Sequence, residues 1–413
     1  MTLTAKALST GLPAATDPVP STHELLTRAE QLVPELIGRQ SETEARAQYS
    51  RAIHEQFSAA GFYKILVPRR YGGYQLGSDA FFGVSMVLAR GCPSTAWMFS
   101  RGAIHALTAA SLFSERAQDE IFAGGEFIAP ATLVPGGTAE RASDGGWLLN
   151  GIWANCSGAA YASHFIGHLM VEPPMGGPQL PMMFIAPRAE WRSVDDGDPQ
   201  LGLRGSGIGS VAIVNGRIPD YFALLGTQLF DVHGADGTPG RVLHGNPEYS
   251  GSAFSYLVLE RASLAVGIAK GALDAYEELL RSRKTLVPPV ADRYLDGDYQ
   301  HWFGEAIGLV AAAESALADA VRQWRDGCSN STGRLDRATE LRLAAVCRQV
   351  IRLCWQGVEH YLFPTAGTSA ARPGDRLERL WRDMAMLHGR SGSALAMSTI
   401  ASRDLARSRL GLC

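Results

Sequence analysis

Residues 21–124 carry apolar side chains at intervals of three and four positions, which is the spacing of amphipathic helices. Ser21 and Glu24 are placed as in a capping box, where each side chain accepts a hydrogen bond from the other residue's backbone, so a helix is predicted to begin there. Two further helical segments are predicted near residues 78–90 and 94–112. These segments together predict an N-terminal helical domain.

The pattern changes over residues 125–245, where Gly, Pro and Asp turns recur at intervals of roughly 8–12 residues. Short apolar runs lie between the turns, among them "GWLLNGIWA", "HFIGHLMV", "PMMFIAP" and "GSVAIVNGRIP". Short strands separated by regular turns are typical of antiparallel sheets. This middle part is therefore predicted to be an antiparallel β domain.

Helical spacing returns over residues 246–413, in four long segments near 252–284, 298–327, 334–362 and 376–408. Long helices joined by short breaks predict an antiparallel four-helix bundle. The predicted fold class is α+β, mostly α, with a helical domain, a β domain and a C-terminal bundle in that order.

Residues 1–20 are rich in Pro, Thr and Ala and are predicted to be a disordered lead-in. They have no basic start followed by an apolar core, so a secretory signal is not predicted. The six cysteines are scattered without a CxxC pair, which favours neither a disulfide framework nor a zinc site. We therefore expect a cytoplasmic protein, and the Ala-, Arg- and Gly-rich composition suggests a bacterium of high GC content.

Net charge and motifs exclude several function classes. A net charge of −3 gives no electrostatic reason to expect nucleic acid or an anionic membrane as partner. Gly205–Gly209 in "GLRGSGIGS" partly mimics a dinucleotide-binding loop, but a β-like run follows where that motif needs a helix. His164 and His168 lie in a predicted strand, so their spacing does not indicate a metal pair. With no nucleophile motif either, an enzyme of this sequence must take its chemistry from an organic cofactor.

Three stretches resemble the acyl-CoA dehydrogenase fold: "GIAKGALDAYEELLRSRKTL" at 267–286, "AGTSAARPGDRLERLWRD" at 366–383 and "WLLNGIWANCSGAAYASHFI" at 147–166. The common dehydrogenases of that fold carry a catalytic glutamate about two turns after the Arg-Asp pair. The corresponding "MAMLHGRSGSALAM" has no carboxylate and contains His388 instead. A base from another helix would still permit an acyl-CoA dehydrogenase.

Three further motifs, "GCPSTAWMFSRGAIHAL", "WANCSG" and "RDMAMLHG", occur in the order found in oxygenase components of two-component flavin monooxygenases. Examples are the p-hydroxyphenylacetate hydroxylases and dibenzothiophene monooxygenase. The resemblance implies that reduced flavin, FMNH2 or FADH2, comes from a separate reductase and forms a C4a-hydroperoxide with O2. It further implies a homotetramer that hydroxylates a small molecule, which we expect to be an aromatic or polyketide-like metabolite. An N-hydroxylase of an amino sugar and a non-catalytic flavin-binding protein are the alternatives.

The resemblance also assigns catalytic candidates. His388 shares a helix face with Trp381 and Met384, and its alternatives are a catalytic residue or a helix end capped by Gly389. The helical pattern continues to residue 408, which favours catalysis. The resemblance places His105 in a substrate pocket and Ser157 near flavin N5. A core histidine and a turn hydroxyl are their structural alternatives.

Three residues are cofactor candidates besides Ser157. Trp153 is either strand core or a wall of the flavin site. Arg283 either complements the end of a helix or binds a flavin phosphate. Gly367 lies in a turn that, by resemblance, approaches the flavin phosphate of a neighbouring subunit. The Arg382–Asp383 pair is predicted to be structural.

Overall fold

The computed structural model describes residues 18–172, 176–194, 200–227, 237–250, 253–330, 335–389 and 399–412. Most of the predicted lead-in, residues 1–17, lies outside this described part. The described chain passes from helices to two sheets and back to helices. The predicted fold class, α+β with mostly α structure, is confirmed.

The N-terminal part consists of seven helices, and the first begins as predicted. The Ser21 side chain accepts a hydrogen bond from the Glu24 backbone, and Glu24 accepts one in return. Pro93 opens another helix, where its missing N–H removes no helical hydrogen bond. The helices are α1 (Thr22–Gly38), α2 (Gln40–Ala45), α3 (Arg51–Ala59), α4 (Ser78–Gly91), α5 (Pro93–Ala103), α6 (His105–Leu112) and α7 (Glu115–Ile121).

The middle part folds into two antiparallel sheets. The strands are β1 (Thr138–Arg141), β2 (Trp147–Ser157), β3 (His164–Val171), β4 (Leu180–Pro187), β5 (Arg192–Val194), β6 (Ile208–Ile218) and β7 (Ala223–Leu225). One sheet has the order β1-β2-β6-β5 and the other the order β3-β4-β7. Trp153 of the first sheet packs against Phe165 and Phe184 of the second, so the two sheets share an apolar interior.

The C-terminal part is a bundle built around one buried helix. The helices are α8 (Pro239–His244), α9 (Ala253–Ser282), α10 (Gly297–Ser329), α11 (Arg337–Gln356), α12 (Phe363–Ala366), α13 (Arg376–His388) and α14 (Ala401–Arg409), with a π-helical turn at Gly357–Leu362. Helix α9 packs against α10, α11 and α13 and also against α4 of the N-terminal part. None of the helices within the described ranges is long and apolar enough to cross a membrane.

The predicted helix over 376–408 needs a correction. Helix α13 ends at His388, and the Gly389 N–H donates to the Ala385 carbonyl as its cap. Residues 390–398 lie outside the described part, residues 399–400 have π-helical backbone, and α14 covers Ala401–Arg409. The periodicity of the sequence did not register that end, because apolar spacing alone carries no information about where the backbone hydrogen bonds stop.

Helices α4 and α9 approach closely at Gly267. A Cβ atom built on Gly267 would overlap the carbonyl oxygen of Met86 in α4. Backbone cannot move aside as a flexible side chain can, so this contact sets how near the two parts of the molecule lie.

We expect Gly267→Ala to lower the free energy of unfolding by about 1–3 kcal/mol, because the methyl group forces α4 away from α9. Gly308→Ala is the matched control, since Gly308 is also helical but has no atom near its Cβ position. The control should raise stability by about 0.5–1 kcal/mol through helix propensity. Chemical denaturation measures both changes, and equal effects of the two substitutions would contradict the close-contact argument.

Candidate active site

Ser157 is turned toward the helical part by an irregularity at the end of β2. The pairing of β2 with β6 shifts register between Trp153 and Cys156, and Asn155 between them has a positive φ of 61°. In a regular strand, successive side chains point to opposite faces of the sheet. Here the bulge leaves the neighbouring residues Cys156 and Ser157 both buried. The Ser157 hydroxyl accepts a hydrogen bond of 3.1 Å from Nε1 of Trp97 in α5.

Two guanidinium groups lie near the ring of Trp97. The centre of its ring is 5.4 Å from the guanidinium carbon of Arg101 and 5.3 Å from that of Arg261. Arg101 forms a bidentate ion pair with Glu260, whose buried carboxylate also accepts a hydrogen bond of 2.5 Å from the Ser100 hydroxyl. The cluster joins α5 to α9 next to Ser157.

Arg261 gives this cluster an excess of positive charge. It is buried, and no carboxylate in the described part of the chain forms an ion pair with it. Burial, together with repulsion from Arg101, lowers the pKa of Arg261 to about 10, so it stays charged at neutral pH. Two guanidinium groups therefore face one carboxylate, and an anion bound beside Trp97 would offset the cost of burying the second cation.

Two buried histidines lie close to this cluster. The pKa of His105 falls to about 3 because the ring is desolvated and because Arg101 and His168 disfavour a proton on it. His168 donates from Nδ1 to the Thr132 carbonyl at 2.8 Å, which fixes its neutral tautomer. Nδ1 of His105 and Nε2 of His168 are buried without a hydrogen-bond partner among the described residues. Both rings are thus neutral and each keeps an unused nitrogen.

His388 lies in different surroundings. Its ring stacks on Trp355 of α11 with centroids 5.2 Å apart, and its carbonyl oxygen accepts a hydrogen bond from Arg348 at 3.0 Å. Partial burial and the neighbouring Arg348 and Arg352 lower the pKa of His388 to about 4. These contacts, with the helix end at Gly389, match the structural alternative for His388.

Arg283 and Gly367 lie together at the far end of the bundle. Arg283 donates to the Ser369 hydroxyl in the turn that follows Gly367, and Gly367 has a positive φ of 89°. Arg261 lies in the ninth position of α9 and Arg283 directly follows its last residue, so the two are about 30 Å apart at 1.5 Å per residue. Arg283 and the turn after Gly367 are therefore remote from the Trp97 cluster within one chain.

The structure thus separates the predicted residues into groups. Ser157 and His105 lie around Trp97, Arg283 and Gly367 lie at the other end of α9, and Trp153 lies in the sandwich core. Buried Trp153 donates to the His168 carbonyl at 2.9 Å, which corresponds to its strand-core alternative. In the described ranges no group of three His, Cys, Asp or Glu side chains is arranged to hold a metal ion.

Four residues of the cluster escaped the sequence reasoning: Trp97, Arg101, Glu260 and Arg261. A signal for the last two was available, because "YLVLERASLAVG" places a Glu-Arg pair inside an otherwise apolar helix. Charged side chains are almost never fully buried unless they are paired. Such a pair in the middle of a buried helix therefore indicates a partner or a ligand.

Comparisons with known proteins agree with this fold. Residues 21–122 match the family model described as acyl-CoA dehydrogenase, N-terminal domain, and residues 259–390 match acyl-CoA dehydrogenase, C-terminal domain. A pigment production hydroxylase of Rhodococcus sp. is 27% identical over 375 residues, covering 88% of this chain and 91% of the relative. The oxygenase subunit HsaA of a flavin-dependent monooxygenase of Rhodococcus jostii is 26% identical, covering 87% and 91%.

A solved structure is similar over nearly the whole chain. The 3-HSA hydroxylase from Rhodococcus sp. RHA1 superposes with a TM-score of 0.84 at 25% identity, covering 95% of this chain and 97% of the other. The backbone similarity therefore includes all three parts of the molecule.

We expect His105 to make the protein sensitive to acid. The folded ring resists protonation down to about pH 3, whereas an unfolded histidine takes up a proton near pH 6.5. Acidification below pH 6.5 therefore favours unfolding, and His105 alone should cost about 2 kcal/mol between pH 6.5 and pH 5.

Unfolding curves of wild type and His105→Gln across this pH range measure the effect. The variant should lose less stability on acidification than wild type. His23→Gln, which changes an exposed histidine, serves as the control and should follow the wild-type curve. Parallel pH dependences for wild type and His105→Gln would show that His105 accepts a proton in the folded protein.

Proposed function

Because this chain belongs to the acyl-CoA dehydrogenase family, we propose that it is the oxygenase component of a two-component flavin monooxygenase, which hydroxylates a small aromatic or polyketide-like metabolite. The observation that carries the proposal is the buried, positively charged cluster around Trp97 beside the hydroxyl of Ser157. The relatives that match over most of the chain are flavin-dependent hydroxylases, among them the p-hydroxyphenylacetate 3-hydroxylase oxygenase component of Acinetobacter baumannii.

The residues around Trp97 fit a reduced flavin. Reduced flavin carries a negative charge on its ring at neutral pH, and the excess charge of Arg261 over the Arg101–Glu260 pair would balance it. Because Trp97 supplies the proton of its hydrogen bond, the Ser157 hydroxyl keeps its own proton and can donate it to a ring nitrogen. Reduced flavin, when bound, supplies the electrons that activate O2.

The same site argues against acyl-CoA dehydrogenation. That reaction needs a carboxylate free to accept a proton. Glu260 is the buried carboxylate beside Trp97, but Arg101 and Ser100 occupy both of its oxygens. Helix α13 contributes no carboxylate after Asp383. Since neither Glu260 nor the described helix α13 after Asp383 offers a free carboxylate, oxygenation is favoured.

His105 is suited to orienting a substrate rather than to removing a proton from it. With a pKa near 3, its ring is a weak base, but a neutral imidazole can still donate or accept one hydrogen bond. Its unpartnered Nδ1 offers that bond inside a buried site. A substrate hydroxyl next to the guanidinium groups would lose its proton more easily, because the positive charge stabilises the anion.

His388 keeps two possible roles, as a packing residue on Trp355 or as a group that steers protons during oxygen activation. Its contacts with Trp355 and Arg348 support the first. Comparison of His388→Asn with wild type in the hydroxylation assay distinguishes the two, because packing affects stability and proton transfer affects turnover.

We further propose that the flavin site is shared between subunits of a homotetramer in the cytoplasm, supplied by a separate flavin reductase. Arg283, which contacts the turn after Gly367, is about 30 Å from Arg261 along α9, and this distance favours a role of the turn at the flavin of a neighbouring subunit. Cys92, Cys328, Cys347 and Cys354 are buried free thiols, which supports a reducing compartment.

The direct test combines the purified chain with a separate flavin reductase, NADH, FMN or FAD, air and a panel of phenols. We expect a hydroxylated product with at least one phenol, and no product when reductase or oxygen is omitted. Product and hydrogen peroxide are quantified together, so that oxygen use is fully accounted for. Oxidation of an acyl-CoA with an artificial electron acceptor, without hydroxylation of any phenol, would replace this proposal by a dehydrogenase.

Subunit sharing can be tested by complementation. Arg261→Ala and Arg283→Ala should each weaken binding of reduced flavin about ten- to a hundredfold, the loss expected for one charge-assisted contact. If a site uses Arg261 of one subunit and Arg283 of another, random mixing of the two variants restores intact sites. Co-expressed variants should then recover about a quarter of the wild-type binding sites, as expected for a paired arrangement. No recovery would mean either that both residues serve a site within one subunit or that they do not belong to the flavin site.

A further inference from the structure

The segment 200–207, which overlaps the Gly205–Gly209 stretch that partly mimics a dinucleotide-binding loop, is held by three different helices. It precedes β6 and runs along α13, α2 and α5. Cβ atoms built on Gly202 and Gly205 would overlap the backbone at Arg382 and the side chain of Thr43. We call residues 200–207 the joint segment, because they connect the β domain with both helical parts.

Arg382 and Asp383 of α13 hold the beginning of the joint segment. The Leu203 N–H donates to Oδ1 of Asp383 at 2.5 Å, and Leu203 has a positive φ of 55°. Arg382 donates to the Leu201 carbonyl at 3.0 Å and forms ion pairs with Glu44 and Glu378. A non-glycine residue with positive φ is strained, so the Asp383 bond helps to keep Leu203 in this conformation.

The end of the joint segment leads to the active-site cluster. The Gly205 N–H donates to the Ser94 hydroxyl at the start of α5, at 3.2 Å, and the Gly207 N–H donates to the Ala47 carbonyl at 2.8 Å. The Gly207 carbonyl in turn accepts from the Gly158 N–H at 3.3 Å, directly after Ser157. The segment therefore touches both elements that meet in the Trp97–Ser157 hydrogen bond.

We propose that Asp383 is a positioning residue for the oxygenase reaction: by holding Leu203, it fixes the joint segment and thereby the placement of Ser157 against Trp97. The inference rests on the proposed function for its catalytic meaning, whereas its structural part stands without a flavin. Asp383 itself acts through the segment and has no contact with the cluster described above. The Arg-Asp pair of α13 thus gains a function beyond an ion pair within the bundle.

The proposal is tested with Asp383→Ala, which removes the acceptor, and Asp383→Asn, which keeps one. Burial raises the pKa of Asp383 to about 7, so a neutral side chain of the same shape is a close replacement. Glu248→Gln is the matched control. Glu248 is also a buried carboxylate that accepts a backbone N–H, that of Ser78 at 2.7 Å, and pairs with an arginine, Arg325 at 2.9 Å.

The first measurement is amide hydrogen exchange of the flavin-free protein. In Asp383→Ala, peptides containing the Gly158, Gly205 and Gly207 amides should exchange about tenfold faster, the change expected for one buried hydrogen bond. Asp383→Asn should restore slow exchange, and Glu248→Gln should leave these peptides unchanged even if it lowers stability. Unchanged exchange in Asp383→Ala, or equal acceleration in the control, would overturn the proposal.

The second measurement is the ratio of hydroxylated product to hydrogen peroxide. Asp383→Ala should lower this ratio about tenfold while Asp383→Asn and Glu248→Gln retain it, because a displaced Ser157 no longer meets the reacting flavin. An exchange effect without any hydroxylation in wild type would refute the proposed function but not the positioning. An exchange effect with an unchanged ratio would refute the catalytic consequence.

Discussion

The ion pair between Arg101 and Glu260 is the interaction on which the candidate site depends. It joins α5, which carries Trp97, to α9, which is buried along most of its length. Burying both partners is costly, and their mutual attraction compensates for it only with good geometry and further hydrogen bonds. The bidentate contact supplies the geometry, and the Ser100 hydroxyl supplies a further hydrogen bond. Without Glu260, the repulsion between Arg101 and Arg261 beside Trp97 would have no nearby negative charge to offset it.

The second constraint is that the positive charge of Arg261 has no ion-pair partner within the described chain. Most proteins avoid an uncompensated buried guanidinium, because removing it from water costs several kcal/mol. Here Arg261 is kept charged beside Trp97. An anion bound beside Trp97 would offset this cost, which is the electrostatic reason to look for a negatively charged ligand at this cluster.

The sequence predicted the order of the three parts and most strands within a few residues, because three-to-four spacing follows from helix geometry and regular turns delimit the apolar runs that form strands. The resemblance to flavin monooxygenases named Ser157 and His105 as candidate site residues. The sequence could not find Arg101 with Glu260 as partners, since 159 positions separate them and only tertiary packing unites them. It also missed the end of α13 at His388, where a backbone cap decides and apolar spacing continues regardless.

The glycines of the joint segment resemble part of a dinucleotide-binding motif, but packing between domains explains them. Gly202, Gly205 and Gly207 are small because a helix backbone, a threonine and Met98 each occupy the space that a side chain would need. In a library of random variants these positions should therefore be as intolerant as catalytic ones, because a side chain there has no space. A map of mutational tolerance would show a row of invariant glycines at this contact between domains. That row would be easily mistaken for a nucleotide-binding motif, although packing alone accounts for it.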